Sequence, residues 1–300
     1  MRVRLLLTLT LTASTVAAGD PKPMTVDDLW AVRRVGSPAL SPDGRFVAYT
    51  VTAYDMGEDR GNADIWISPL AGGPGRQLTT NRASDTSPAW SPDGTRIVFV
   101  SRREGDGAKQ LYIIRVDGGE AERATDMPLS VSDPKWLPDG KHIAFVSPVI
   151  AGAEAPEATR KAVAAREKSK VKAHVTDNRL FRFWDRWLTE GEYPHIFVLD
   201  LETGRVTDLL PGSKRYFELL DGSGAFDVSP DGSTILFSAN RTPEPYRTLD
   251  YDIFSVPSGG GEVKDLTPAN PGDDLRPVFS PDGKRVAYGL QRRADGWPDY

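Results

Sequence analysis

One four-residue phrase returns five times along this 300-residue chain, and it constrains the fold more than any other feature. It reads Ser41-Pro42-Asp43-Gly44, Ser91-Pro92-Asp93-Gly94, Leu137-Pro138-Asp139-Gly140, Ser229-Pro230-Asp231-Gly232 and Ser280-Pro281-Asp282-Gly283. Proline presets φ at the second turn position, aspartate bonds its own local backbone, and glycine takes the positive φ that other residues resist. A β-prone apolar stretch follows each turn, at 46–49, 97–100, 143–146, 235–237 and 286–288. Trp90, Trp136 and Phe279 directly precede three of the turns. Each repeat therefore holds a tight hairpin.

A third strand follows after 23 residues (Pro42 to Ile65), 19 (Pro92 to Leu111) or 23 (Pro230 to Ile253). A glycine-rich turn and a short fourth strand come next, at 77–79, 123–125 and 265–267. Four strands in roughly 46 to 51 residues is the unit of a β-propeller blade. The expected fold is all-β: four complete four-stranded blades plus part of a fifth. A β-sandwich would not repeat one turn at a fixed period. The 24 prolines and 28 glycines suit such a turn-rich fold.

The third blade departs from the pattern. Pro138 to Ile196 spans 58 residues, so an insertion of about 150–190 separates its second and third strands. Residues 157–172, rich in Ala, Lys, Arg and Glu without Gly or Pro, should be helical. In the fifth blade the third strand falls due at 300–304, where the sequence stops at Tyr300. A half-built blade leaves unpaired strand edges. The expectation is that residues 19–300 are an incomplete propeller, poorly stable alone.

The first eighteen residues read as a signal peptide: Arg2 and Arg4, a short run from Leu5 to Leu11, then Val16-Ala17-Ala18 before the cleavage point. The mature chain would begin at Gly19, in the periplasm or outside the cell. Its formal charge would move from −5 to −7 on losing two arginines. That balance offers no footprint for nucleic acid, and no apolar run is long enough for a bilayer. The absence of cysteine excludes a lipid-anchored lipoprotein, disulfides and thiol catalysis. The turn aspartates sit on separate blades, so they do not offer calcium its six converging oxygens. Neither metal nor cofactor is expected.

Turns of this sequence resemble those of the TolB-type periplasmic propellers and of the prolyl oligopeptidase family. Two segments favour the peptidases. Met24-Thr25-Val26-Asp27-Asp28-Leu29-Trp30, continuing to Arg33-Arg34-Val35-Gly36-Ser37-Pro38, is similar to the lead-in of secreted dipeptidyl peptidase V and acylaminoacyl-peptidase relatives. Arg182-Phe183-Trp184-Asp185-Arg186-Trp187, with His195-Ile196-Phe197-Val198, resembles their third-blade segment. The resemblance covers nearly all of the mature chain. It implies a propeller that gates short peptides to an α/β-hydrolase domain carrying a Ser-Asp-His triad, with Ser on a Gly-x-Ser-x-Gly elbow. No such elbow occurs here; Gly222-Ser223-Gly224 has the wrong spacing. His142 and His195 are expected at strand starts and His174 in the insertion, none with a Ser and Asp suitably placed. No catalytic residue is therefore expected in these 300 residues, which alone should be inactive. The second reading is a non-enzymatic, TolB-like propeller that binds partner proteins.

The densest aromatic stretch, around Trp184, is the candidate substrate site. Its rings pack the insertion onto the propeller or face a cavity shared with the hydrolase. Related dipeptidyl peptidases hold the peptide's free amine with propeller carboxylates, a charge-assisted bond that strengthens when partly desolvated. Asp185, Glu190 and Glu192 are the acids near that place, although the resemblance does not map the site residue by residue.

Overall fold

The computed structural model describes residues 22–292, apart from 172, 174, 179, 185, 189, 190, 220–223 and 247. The signal peptide expected at 1–18 lies outside the described residues. A short helix, α1 (Val26–Ala31), opens the fold. It is closed by a capping box in which Thr25 Oγ1 accepts from the Asp28 N–H (3.2 Å) and Asp28 Oδ2 accepts from the Thr25 N–H (2.8 Å).

Four antiparallel four-stranded sheets follow. The first comprises β1 (Arg34–Leu40), β2 (Phe46–Asp55), β3 (Arg60–Pro69) and β4 (Arg76–Gln77). The second comprises β5 (Asp85–Trp90), β6 (Arg96–Ser101), β7 (Gln110–Arg115) and β8 (Glu122–Arg123). The third begins with β9 (Ser132–Trp136) and β10 (His142–Ile150). Helix α2 (Pro156–Lys168) and a small hairpin, β11 (Arg182–Phe183) with β12 (Arg186–Trp187), intervene before β13 (Glu192–Asp200) and β14 (Val206–Asp208) complete it. The fourth comprises β15 (Phe226–Val228), β16 (Thr234–Asn240), β17 (Tyr251–Pro257) and β18 (Lys264–Asp265). A two-stranded sheet, β19 (Asp274–Phe279) with β20 (Val286–Leu290), ends the described chain.

First strands of successive blades touch, β1 on β5, β5 on β9 and β15 on β19, so they lie nearest the propeller axis. The core sits between blades. Strands there are buried on both faces, which explains their near-continuous apolar runs. In β6, Ile97 and Phe99 pack toward the first blade while Val98 and Val100 pack toward the third. Facing rings on the second and third strands recur as cross-strand pairs: Phe99 with Tyr112 (6.0 Å), Phe145 with Phe197 (5.7 Å) and Phe237 with Phe254 (5.5 Å). Each pair belongs to the cluster shared with the preceding blade, and stacking adds about 1 kcal/mol to area burial.

The tryptophans before the turns have a second task. Trp90 Nε1 donates to the Ala39 carbonyl (2.9 Å) and Trp136 Nε1 to that of Ala89 (3.1 Å), each reaching the previous blade's innermost strand. The fourth blade has Val228 in that place. There Lys135 Nζ donates to the Phe226 carbonyl and lies 3.5 Å from Asp227 Oδ1. Asp227 Oδ2 in turn accepts from the Phe279 N–H (2.9 Å). One carboxylate thus ties β9, β15 and β19 together.

The repeated turn is built by four groups. In the first blade Gly44 (φ 67°) donates its N–H to the Ser41 carbonyl (2.9 Å), and Asp43 Oδ1 accepts from the Ser41 hydroxyl (2.6 Å) and the Arg45 N–H (3.0 Å). The Ser41 oxygen accepts from the Phe46 N–H (2.9 Å), closing the loop onto β2. The same set recurs at Ser91, Ser229 and Ser280. With Leu137 in place of serine, Asp139 bonds the Lys141 and His142 N–H groups and the His142 ring instead.

Two expectations shift. The helix runs Pro156–Lys168 rather than 157–172: proline occupies its first turn, and the chain leaves helical geometry at Ser169. His142 does open β10, but His195 lies inside β13, because pairing with the long β10 extends from His142↔Asp200 to Ile150↔Glu192.

Candidate functional site

Connections between second and third strands gather at the end of the propeller opposite the repeated turns, and the insertion is the largest of them. Helix α2 is tied to the propeller by two arginines: Arg160 bonds the Asp126 carboxylate (3.1 Å) and Arg166 pairs with Glu192 Oε1 (2.7 Å). The β11–β12 hairpin carries Trp184 at its tip with φ 54° and 78% of its surface exposed. Beside it the rings of Phe181 and Trp187 lie 6.3 Å apart, with the Arg182 guanidinium 5.2 Å over Trp187. Trp184 is largely open to solvent, and Phe181 and Trp187 are a little under half exposed.

Leu188, just beyond, does the anchoring. It is buried with Tyr193, Tyr216 and Tyr246, and its carbonyl accepts from the Tyr216 hydroxyl (3.3 Å). Tyr246 Oη lies 2.8 Å from the Lys214 carbonyl and 3.1 Å from Tyr193 Oη, which donates to Glu244 Oε1 (3.3 Å). Burial pushes the Tyr246 hydroxyl up to about 12 and raises that of Tyr193 further, so both stay protonated donors.

Of the four residues expected at a substrate site, Asp185 and Glu190 lie outside the described residues. Trp184 is exposed and available; Glu192 is already engaged by Arg166. No described contact joins Trp184 to Glu192. Glu244, which sequence reasoning missed, stands on the equivalent connection of the next blade. The Lys214 ammonium (2.9 Å) keeps its carboxyl below the usual range. It opens onto a cleft of about 600 Å³ that also carries Lys214, Arg215, Arg241 and Asp265. Nothing in its sequence context marks it, because its neighbours Lys214 and Tyr193 are distant in the chain.

The two described histidines are engaged by structural partners. His195 is fully buried, with Nδ1 2.8 Å from Asp208 Oδ2 and Nε2 2.9 Å from the Ser213 carbonyl, so both ring nitrogens are occupied by groups other than a serine hydroxyl. His142 pairs with Asp139 at the turn end; His174 lies outside the described residues. The turn aspartates are held by serine hydroxyls and backbone N–H groups, which bring Asp93 and Asp231 down to about 2. Among the described residues, no three His, Asp or Glu side chains group as a metal cage, and no helix is long and apolar enough to cross a membrane.

Comparison with known proteins bears on this geometry. Residues 31–169 match the family model described as the TolB β-propeller domain. Dipeptidyl-peptidase 5 of Porphyromonas gingivalis is 31% identical over 281 residues, covering 91% of this chain and 40% of that protein. The Pyrococcus horikoshii acylaminoacyl peptidase superposes with a TM-score of 0.64 at 16% identity, over 89% of this chain and 37% of that one. A putative TolB from Agrobacterium tumefaciens superposes with a TM-score of 0.54 at 21% identity, over 89% and 73%. The chain spans about 40% of the length of the curated relative it matches.

Proposed function

We propose that this TolB-type β-propeller, similar along most of its length to dipeptidyl-peptidase 5, is the substrate-gating domain of a secreted serine exopeptidase. The parent enzyme removes dipeptides or blocked residues from short peptides. The observation that carries the reading is the 31% identity extending over 91% of this chain, insertion included. We place the serine nucleophile, its histidine and its aspartate in an α/β-hydrolase domain within the length that the relatives have beyond the match. The two described histidines, saturated by Asp208 and Ser213 or paired at a turn, fit a propeller without chemistry of its own.

On this reading a peptide meets the insertion end. Trp184, Asp185 and Glu190 serve the substrate there, the two acids as partners for its free amine. Glu192 acts at one remove by holding α2 through Arg166. The positively charged start and apolar run of residues 1–18 support export to the periplasm or beyond.

The test is to incubate the intact protein with peptides of graded length, with free and acylated amines, and to read products by mass spectrometry. Stepwise dipeptide release, falling off with peptide length, supports the dipeptidyl form; release of one acylated residue supports the acylaminoacyl form. No hydrolysis by the intact protein, together with stable capture of a partner protein, would favour the TolB-like binding role that the fold also accommodates.

A further inference from the structure

The residue just before the apolar run of each third strand is polar: Asp64, Gln110, His195 and Asp252. In three blades the next residue fixes the equivalence, because its N–H donates to a threonine: Ile65 to Thr79 (2.9 Å), Leu111 to Thr125 (2.9 Å) and Ile253 to Thr267 (3.0 Å). Gln110 is the neutral version and is fully served. Its Oε1 accepts from Thr125 Oγ1 and the Met127 N–H (both 2.8 Å), and its Nε2 donates to the Met127 carbonyl (2.9 Å).

Blades one and four carry a carboxyl group there, and the next blade brings a second. Asp85 opens β5 and Asp274 opens β19, both with no exposed surface. One guanidinium serves each junction. Arg103 lies 3.3 Å from Asp85, and Arg241 lies 2.6 Å from Asp250 and 3.3 Å from Asp252. The supply is insufficient. Asp64 Oδ1, Asp85 Oδ1, Asp252 Oδ1 and Asp274 Oδ2 are buried without a hydrogen-bond donor. A buried carboxylate oxygen in that state is costly, and a shared proton would supply the missing donor.

The surroundings offset this balance only in part: side-chain hydrogen bonds from Thr79 and Gln77 to Asp64, and from Ser101 and Thr79 to Asp85, favour the charged forms, and burial outweighs them. Around Asp64 and Asp85 stand Asn62, Gln77, Thr79 and Ser101, all neutral. Glu58, Arg60 and Arg82 satisfy one another further out. Around Asp252 and Asp274 stand further acids, Asp250, Asp265 and Asp273, with Asn240, Thr267 and Asn270; Arg276 is bound to Glu218. Burial first, then the neighbouring Asp85 charge, pushes Asp64 up to about 6. Burial likewise raises Asp85, Asp252, Asp273 and Asp274.

We propose that the first–second and fourth–fifth blade junctions are proton-operated hinges, closed while a carboxyl of each set keeps its proton and loosened when that proton leaves, whereas the Gln110 junction between them does not respond. The inference is independent of the peptidase reading. The sign follows from linkage: a carboxyl that binds its proton more tightly in the closed state stabilises that state below the ordinary carboxyl range. The contribution disappears as pH rises through the folded value, near 6 for Asp64. The gap between an ordinary 3.8 and about 6 limits the change in the opening equilibrium to about a hundredfold.

The experiment is hydrogen exchange on the intact protein at about pH 5 and about pH 8, corrected for intrinsic rates. Protection across 79–85 and 267–274 should fall by about tenfold or more, while 125–131 stays level. Asp64→Asn and Asp252→Asn should each abolish the fall at their own junction. Gln110→Glu should create one at the middle junction, so the test survives if either asparagine variant fails to fold. An equal fall at all three junctions in the wild type would overturn the proposal. So would restoration of protection at about pH 8 by calcium alone, which would make these carboxylates cation sites rather than proton sites.

Discussion

Replacing Asp227 by alanine should loosen the fourth blade's hold on both neighbours at their innermost strands. Asp227 reaches both β9 and β19 from β15, through Lys135 at 3.5 Å and the Phe279 N–H at 2.9 Å. Alanine leaves the half-buried Phe279 N–H without its acceptor, a loss of about 1 to 2 kcal/mol. It also removes the ionic partner of Lys135, a partly exposed pair contributing about 0.5 kcal/mol. The sum, about 2 kcal/mol, corresponds to about thirtyfold in the local opening equilibrium. Asparagine keeps an acceptor for Phe279 and should cost about 0.5 kcal/mol. Hydrogen exchange at the Phe279 amide and across β20 reads the effect directly, and chemical denaturation reads its global share. A double-mutant cycle with Lys135→Met isolates the ionic part. Identical behaviour of alanine and asparagine, or unchanged exchange at Phe279, would refute this role of Asp227.

Other outcomes follow from the same contacts. Ser91→Ala removes the acceptor of the Arg96 N–H and one donor to Asp93 at a buried position, and should cost about 1 to 2 kcal/mol in denaturant melts. Stability should peak in mildly acidic solution. The turn aspartates, held low by serine and backbone donors, lose their contribution as pH falls from about 4 toward about 2. The junction carboxyls, held high by burial, lose theirs as pH rises toward about 6 and beyond, and melting temperature against pH shows whether the two limbs appear. Trp184→Ala should leave the melting temperature within a degree or so, since the ring is exposed, yet raise KM for short peptides measured on the intact protein.

Much of the architecture is legible because the turn chemistry is local. Proline, aspartate and glycine act within four residues, so five copies announce five hairpins, and the 58-residue gap from Pro138 to Ile196 announces the insertion. The serine of the turn shows its role only in three dimensions, where its hydroxyl closes onto the N–H five residues later. The inner-strand bulges were hidden too. Ser37, Ser87, Asp133 and Arg276 take φ of 49 to 56°, each directly before a proline, and kink the edge that lines the axis. The proline removes a ladder donor there, which blunts that edge. The candidate site was legible only as composition. Aromatic density marked the β11–β12 hairpin, but spacing does not reveal that Glu192 belongs to Arg166 or that Glu244 stands beside Tyr193. Those partners are separated by 26 and 51 residues.

On the proposed function a peptide meets the insertion end of the propeller rather than the turn end. The most direct measurement is photo-crosslinking of the intact protein with a short free-amine peptide carrying a diazirine at its second residue, mapped by mass spectrometry. Adducts within 151–191, at Trp184 above all, and within 241–250 are the predicted result. Adducts confined to the turns at 41–44, 91–94 and 229–232 would contradict it.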